Sequence, residues 1–100
     1  LLESAYRSFL VHELRSRGLS VEVEVPVAVH YKAMRLDVAY RMDLVVERTL
    51  LVEVKAVARV HPVHHAQLLS YLKLSGLGIG LMINFHAASL RDGLKRIVTA

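Results

Sequence analysis

Three charged residues lie in two neighbouring hydrophobic segments, at a spacing that could support hydrolytic chemistry. In the stretch RMDLVVERTLLVEVKAV, residues 41–57, Asp43 is followed by Glu53 and then by Lys55. The apolar residues around them predict two β-strands joined by a turn at residues 47–49. Because a charge in a buried strand costs free energy unless it is paired or bound to a metal, these three residues need a structural or chemical reason.

The alternation of side chains along a strand predicts which residues share a face of the sheet. Within residues 50–56, Leu51, Glu53 and Lys55 point to one side and the even-numbered apolar residues point to the other. If Asp43 lies near Glu53 across the sheet, the three charges form one cluster. Two carboxylates on adjacent strands supply the oxygen ligands that Mg²⁺ prefers. A lysine beside them can hold the attacking water or stabilise developing negative charge.

A purely structural interpretation of the same spacing is a salt bridge between Asp43 and Lys55 with Glu53 in solvent, and spacing alone does not separate the two. Gln67 and Tyr71, in the segment HHAQLLSYLK, favour the catalytic interpretation. They are four residues apart and share a helix face, from which an amide and a hydroxyl can hydrogen-bond a phosphate. Tyr71 taken by itself is typical of a core aromatic residue.

Hydrophobic periodicity predicts the element order α-β-β-β-α-β-α. The first three strands can form an antiparallel meander, and a helix between the third and fourth strands implies a right-handed parallel crossover. We therefore expect one α/β domain over residues 1–100, a mixed β-sheet flanked by helices on both faces. The helices are predicted over residues 1–17, 62–75 and 89–98, and the strands over residues 20–30, 35–46, 50–57 and 79–85.

Asp43, then Glu53-Val54-Lys55, then Gln67-x-x-x-Tyr71, on an αβββαβ frame, resembles the PD-(D/E)XK nuclease superfamily and its restriction-endonuclease-like fold. The chain is similar more closely to the GxxExxY family within that superfamily. LLESAY (1–6) corresponds to the name motif without its leading glycine. YRMDLVVE, LLVEVKAV, VHHAQLLSYLKLSGLGIGLMINF and KRIV extend the resemblance over nearly all 100 residues.

The resemblance implies a nuclease that uses Mg²⁺ or Mn²⁺ and acts on nucleic acid. The expected substrate is DNA rather than RNA. Asp43 and Glu53 would be metal ligands, with Glu3 as an accessory acidic residue near the metal, and Lys55 would be the catalytic lysine. Taken alone, Glu3 is typical of a helix-dipole carboxylate or of a partner of Arg7 one turn along the helix.

The resemblance also gives Gln67 and Tyr71 a supporting or phosphate-facing role. One position departs from the family pattern, because His65 stands where an acidic residue is expected after the preceding histidine. His65 would change the charge beside the proposed site while leaving the Asp43/Glu53/Lys55 triad intact.

Two binding functions are alternatives to catalysis. The first is a nucleic-acid-binding or protein-interaction domain that keeps the nuclease fold without cleaving. Its phosphate contacts would come from basic side chains, and six aromatic residues argue against a base-stacking platform. The second is a zinc site in HPVHH, residues 61–65, which lacks a cysteine or a nearby carboxylate to complete a tetrahedron. The basic candidates are Lys32, Arg35, Arg41, Arg59, Lys73, Arg91, Lys95 and Arg96.

The composition narrows the class of protein. The net charge is +4 and the chain has no cysteine, which excludes disulfides and thiolate metal sites. Apolar runs are short and interrupted by charge, so we expect no membrane span. Charges spread through residues 1–18 do not fit a secretion signal, and we expect a cytoplasmic protein. A homodimer would be compatible with nuclease chemistry.

Overall fold

Five strands form one sheet in the computed structural model of the chain, which describes residues 2–86 and 90–99 and omits the side chains of residues 36–39. The strands lie side by side in sequence order. They are β1 (Val21–Tyr31), β2 (Met34–Val46), β3 (Leu50–Lys55), β4 (Ile79–Asn84) and β5 (Leu94–Val98). The helices are α1 (Glu3–Ser16), α2 (Pro62–Ser75) and α3 (Leu90–Gly93).

Both long helices end at the glycines that the sequence indicates. Gly18 follows α1 with a φ of 84°, and Gly76 caps α2 with a φ of 76°, where its N–H donates to Leu72 O at 3.1 Å. Glycine reaches this left-handed conformation without the steric cost of a Cβ atom. In the part of the chain that the structure describes, no helix is both long and apolar enough to cross a membrane.

The strand pairing follows the predicted topology. β1, β2 and β3 form an antiparallel meander, and β3 pairs in parallel with β4 after the chain crosses over through α2. The turn between β2 and β3 places Glu47 and Arg48 at positive φ. Pro26 lies on β1, at an edge of the sheet, which is where a residue without a backbone N–H is tolerated.

The predicted helix over residues 89–98 is wrong beyond Gly93. Residues 94–98 form β5, which pairs antiparallel with β4 from Ile79 opposite Val98 to Ile83 opposite Leu94. The apolar residues Leu94, Ile97 and Val98 have helical spacing, but the outer edge of β4 needs partners for its backbone groups. Pairing continues past the strand, because Thr99 N–H donates to Gly78 O at 3.0 Å.

Each face of the sheet carries one hydrophobic core and one long helix. Leu68, Tyr71 and Leu72 of α2 pack on one face, and Val11 of α1 packs on the other. The fold is therefore the expected restriction-endonuclease-like α/β arrangement with helices on both faces. The sheet residues of the α2 core are Val27, Met42, Val45, Leu51 and Met82, and those of the α1 core are Val21, Leu44, Val46, Val52, Val54 and Ile83.

Candidate active site

The two predicted metal-binding carboxylates lie where β2 and β3 separate. Backbone pairing runs from Val46 opposite Leu50 to Leu44 opposite Val52. At the next position along the two strands, hydrogen bonds from backbone N–H groups to the Asp43 and Glu53 side chains take the place of backbone pairing. The N–H of Asp43 donates to Glu53 Oε1 at 3.2 Å, and the N–H of Val54 donates to Asp43 Oδ2 at 2.9 Å. Both carboxylates are therefore held in the opening between the strands.

Glu53 is the most unusual ionisable group of this site. It lies on the same side of β3 as Leu51, which packs against α2, and the residue is only 5% exposed. Burial raises its pKa from 4.5 to about 8, assisted by the negative charge of Asp43 and by a hydrogen bond between the two carboxyl groups. The Asp43 N–H and the charge of Lys55 act in the opposite direction. At neutral pH Glu53 thus keeps a proton unless a cation replaces it.

Lys55 lies on the same side of β3 as Glu53 and is half-buried. Its positive charge lowers the pKa of Glu53, and it also lowers the pKa of His64, for which burial is the larger cause. Lys55 is paired in register with Asn84, at the carboxyl end of the two parallel strands. Its ammonium group is therefore near both the carboxylate pair and the start of α2.

Arg7 is a site residue that the sequence interpretation missed. Its Nη1 lies 3.3 Å from Asp43 Oδ1, and its Nη2 lies 3.7 Å from Glu24 Oε1. The Arg7 and Asp43 side chains are 26% and 17% exposed, so the pair is partly shielded from water. Glu24 has a φ of 53°, which a residue with a side chain rarely adopts. No local pattern could reveal this contact, because 36 residues separate Arg7 from Asp43.

Tyr71 belongs both to the core and to the surroundings of the carboxylates. It is 5% exposed, and its ring centroid lies 5.8 Å from that of Tyr40. Burial raises the pKa of Tyr71, followed by the charges of Glu53 and Asp43. Gln67 is exposed and, together with Tyr71 and Tyr40, lines a groove of about 480 Å³ between α2 and the β1–β2 hairpin.

The remaining predicted residues lie at the start of the two long helices. Glu3 is exposed at the first position of α1, and its charge raises the pKa of His64 against the stronger effects that lower it. Within residues 2–86 and 90–99, no group of three or more histidines and acidic residues is placed to hold a metal ion. The role of Glu3 as a third metal-binding residue remains a prediction. His65 lines a different cleft from Gln67, on the β4–β5 side of α2.

The histidines of HPVHH build the first turn of α2. His61 is the N-cap, and its Nδ1 accepts the N–H of Val63 at 3.1 Å. His64 Nδ1 accepts the N–H of His61 at 3.2 Å, which completes a capping box. Both Nδ1 lone pairs are therefore used by the backbone, which favours a structural role for these histidines.

The donor set at the strand opening fits a divalent cation. Asp43 and Glu53 offer carboxylate oxygens, which are the ligands that Mg²⁺ and Mn²⁺ prefer. Burial, and then the negative charge of Asp43, raise the pKa of Glu53, so a bound cation would favour the ionised form of this carboxyl group. Such a cation would be held by Asp43 and Glu53, with Lys55 beside them.

The chain was compared with protein-family models, with curated proteins and with solved structures. A model described as "PD-(D/E)XK nuclease superfamily" matches residues 1–97. The searches of curated proteins and of solved structures each gave no match. Assignment to GxxExxY within the superfamily remains a prediction.

Proposed function

Because the chain belongs to the PD-(D/E)XK nuclease superfamily, we propose that it is a metal-dependent nuclease that hydrolyses phosphodiester bonds. The proposed substrate is DNA rather than RNA. Nucleases of this superfamily generally use divalent metals. The observation that carries the proposal is the carboxylate pair of Asp43 and Glu53 in the opening between β2 and β3. Burial raises the pKa of Glu53 to about 8, so its ionised form is costly in the fold unless a cation is bound beside it, which favours a cation site over a purely structural role.

Asp43 and Glu53 would hold Mg²⁺ or Mn²⁺, with Glu3 as an accessory acidic residue. Such an ion, when bound, lowers the pKa of a water molecule and neutralises charge on the phosphate. The chain fixes both ligands in advance, because the N–H groups of Val54 and Asp43 each hold one carboxylate. Little rearrangement is then needed when the ion binds.

Lys55 would orient the attacking water and stabilise negative charge on the phosphate as it develops. Its proximity to Glu53 supports this role, since its charge acts directly on the pKa of that carboxyl group. Arg7 places a second positive charge 3.3 Å from Asp43. Gln67 offers an exposed amide to the nucleic acid, and Tyr71 supports the carboxylates from the core.

The test is a cleavage assay with plasmid, linear duplex DNA, single-stranded DNA and RNA, each with Mg²⁺, Mn²⁺ or EDTA. We expect cleavage of DNA that requires the metal, and a loss of roughly a hundredfold or more in Asp43→Asn and in Lys55→Met. Lys73→Met, at the opposite end of α2, is the matched control and should retain activity. Absence of cleavage with every substrate and metal, or equal rates in Lys55→Met and the unchanged protein, would refute the proposal.

A further inference from the structure

A second cleft, of about 320 Å³, lies beside the proposed catalytic residues at the carboxyl ends of the parallel strands β3 and β4. Met82 and Asn84 of β4 form part of its lining, and in register they pair with Glu53 and Lys55. Adjacent strands are about 4.8 Å apart, so the cleft is one strand away from the triad. Open α/β sheets bind ligands outside the carboxyl ends of their strands.

Asn84 fixes the shape of this cleft. It is 8% exposed, its Oδ1 accepts the N–H groups of Val57 and His86, and its Nδ2 donates to Val57 O at 2.8 Å. These bonds join the connection after β3 to the end of β4. Val57, which directly precedes the wall formed by residues 58–60, is therefore anchored to β4.

The side chains that line the cleft carry more positive than negative charge. Arg59 comes from the connection after β3, His65 from α2 and Lys95 from β5, and Asp92 contributes a carboxylate. Arginine and lysine are the side chains that proteins most often use to bind phosphate. The excess of positive charge in the lining favours an anion.

We propose that this cleft binds a backbone phosphate of the nucleic acid, next to the phosphodiester that the Asp43/Glu53/Lys55 triad cleaves, with Arg59 and Lys95 as its contacts. The inference rests on the proposed nuclease function. It assigns to the cleft the task of fixing the position of the strand relative to the triad. A contact one strand away orients the scissile phosphate without touching the metal ligands.

The sheet supplies a matched pair of variants that tests the proposal. Lys95 is opposite Met82 and faces the cleft, whereas Arg96 is opposite Leu81 and points to the α1 face. Lys95→Gln and Arg96→Gln each remove one exposed positive charge from the same strand. The measurement is binding of a short fluorescein-labelled DNA, duplex and single-stranded, by fluorescence anisotropy in EDTA over a range of salt concentrations. EDTA prevents cleavage, so affinity is measured separately from activity.

We expect Lys95→Gln to weaken binding roughly three- to tenfold at low salt, and to reduce the slope of log K against log salt by about 0.7–0.9, the value of one phosphate contact. Arg59→Gln should act in the same direction and add to it. Arg96→Gln should change neither quantity appreciably. Thermal melting of each variant checks that the fold is retained.

Equal effects of Lys95→Gln and Arg96→Gln would overturn the proposal, because they would indicate only general attraction between a basic protein and DNA. No measurable binding by the unchanged protein would overturn it as well. The outcome is distinguishable from failure of the nuclease proposal. Binding that depends on Lys95 in a protein that does not cleave supports the cleft and refutes catalysis, and cleavage without such dependence does the reverse.

Discussion

At the scale of single residues, Asp43 is the centre of the proposed site, and both of its carboxylate oxygens already have partners. Oδ1 contacts the guanidinium group of Arg7, and Oδ2 accepts the N–H of Val54. A cation bound by Asp43 would lie close to the guanidinium group of Arg7, which is 3.3 Å from Oδ1. Since Arg7 is also held by Glu24, it stays close to the bound ion and repels it. Arg7 should therefore limit the affinity for the metal.

We predict that Arg7→Gln tightens the binding of Mn²⁺ by roughly three- to tenfold, as expected when a like charge near the ion is removed. Isothermal titration calorimetry at pH 8 measures the dissociation constant directly. Arg17→Gln is the control, because Arg17 is the C-cap residue of the same helix and pairs with exposed Glu13 at 2.9 Å, away from Asp43. Weaker Mn²⁺ binding in Arg7→Gln would show that Arg7 organises the carboxylates rather than competing for them.

At the scale of the elements, the position of Tyr71 depends on how closely α2 approaches the sheet. At Gly80 of β4, two leucines of α2 lie directly against the backbone of the sheet. A Cβ atom at this position would lie 3.0 Å from Leu68 Cδ1 and 3.2 Å from Leu72 Cδ1. Both leucines are fully buried, so their methyl groups have little room to move. The glycine therefore allows Leu68 and Leu72 of α2 to pack directly on β4. This contact helps to position α2, which carries Tyr71.

We predict that Gly80→Ala lowers the free energy of unfolding by about 1 kcal/mol or more, because overpacking a dense core is destabilising. Gly78→Ala is the matched control. A Cβ atom at Gly78 would meet nothing within 4 Å, and its substitution should be neutral or slightly stabilising. Urea denaturation of the three proteins gives the comparison. If the two variants were equally stable, the close approach of α2 would not be a constraint on the fold.

The parts of the fold that were predictable from sequence depend on short-range patterns. The two-residue period of a strand places Glu53 and Lys55 on one face whatever the rest of the chain does. The spacing of Leu94, Ile97 and Val98 fits a helix as well as a strand, and the need to pair the edge of β4 decides between them. Secondary structure at that edge is therefore set by tertiary contacts.

The contacts of the site that were missed join residues far apart in the chain. Arg7 reaches Asp43 because α1 packs on the sheet, a tertiary contact that no local pattern encodes. The second cleft, for which we propose phosphate binding and which we call the phosphate cleft, likewise takes its lining from four separate segments of the chain, one of which is β4. By contrast, the resemblance of the motifs was enough to indicate the carboxylate pair, since those residues lie on neighbouring strands of one hairpin.

At the scale of the whole molecule, the sheet order aligns the features of the site. The groove lined by Tyr40, Gln67 and Tyr71 is next to the β1–β2 hairpin, and the phosphate cleft is next to β4 and β5. The carboxylate pair, on β2 and β3, lies between them. A nucleic-acid strand that crosses the sheet from the hairpin to β5 would therefore pass the triad, and the net charge of +4 favours its approach.

The raised pKa of Glu53 links this site to the stability of the whole molecule. Between about pH 4.5 and pH 8 the folded chain keeps the Glu53 proton, whereas the unfolded chain has released it. The folded state then binds more protons, so the contribution of Glu53 to the free energy of unfolding decreases as the pH rises through this range. The lowered pKa of His64 has the opposite effect, because the unfolded chain binds its proton more tightly.

We predict that Glu53→Gln, measured in EDTA, raises the melting temperature at pH 8 by roughly 5–15 °C relative to the unchanged protein, and much less at pH 5. Glutamine can still accept the Asp43 N–H and can donate to the Asp43 carboxylate, but it carries no charge to bury. The titration of His64 is common to both proteins and cancels in the difference between them. Glu13→Gln, on the exposed face of α1, is the control and should follow the unchanged protein at every pH.

Addition of Mg²⁺ tests the same carboxyl group in a second way. A cation that replaces the Glu53 proton would bind only the folded state. At a concentration a hundred times its dissociation constant, it should stabilise the unchanged protein by about 2.7 kcal/mol. Its apparent affinity should rise by up to about tenfold per pH unit until about pH 8, where Glu53 loses its proton. Glu53→Gln should melt at the same temperature in Mg²⁺ and in EDTA. The four conditions are pH 5 and pH 8, each with Mg²⁺ or with EDTA. If the difference in melting temperature between the two proteins were the same under all four, the buried carboxyl group would be neither protonated nor a metal ligand. The proposed site would then have no chemical basis.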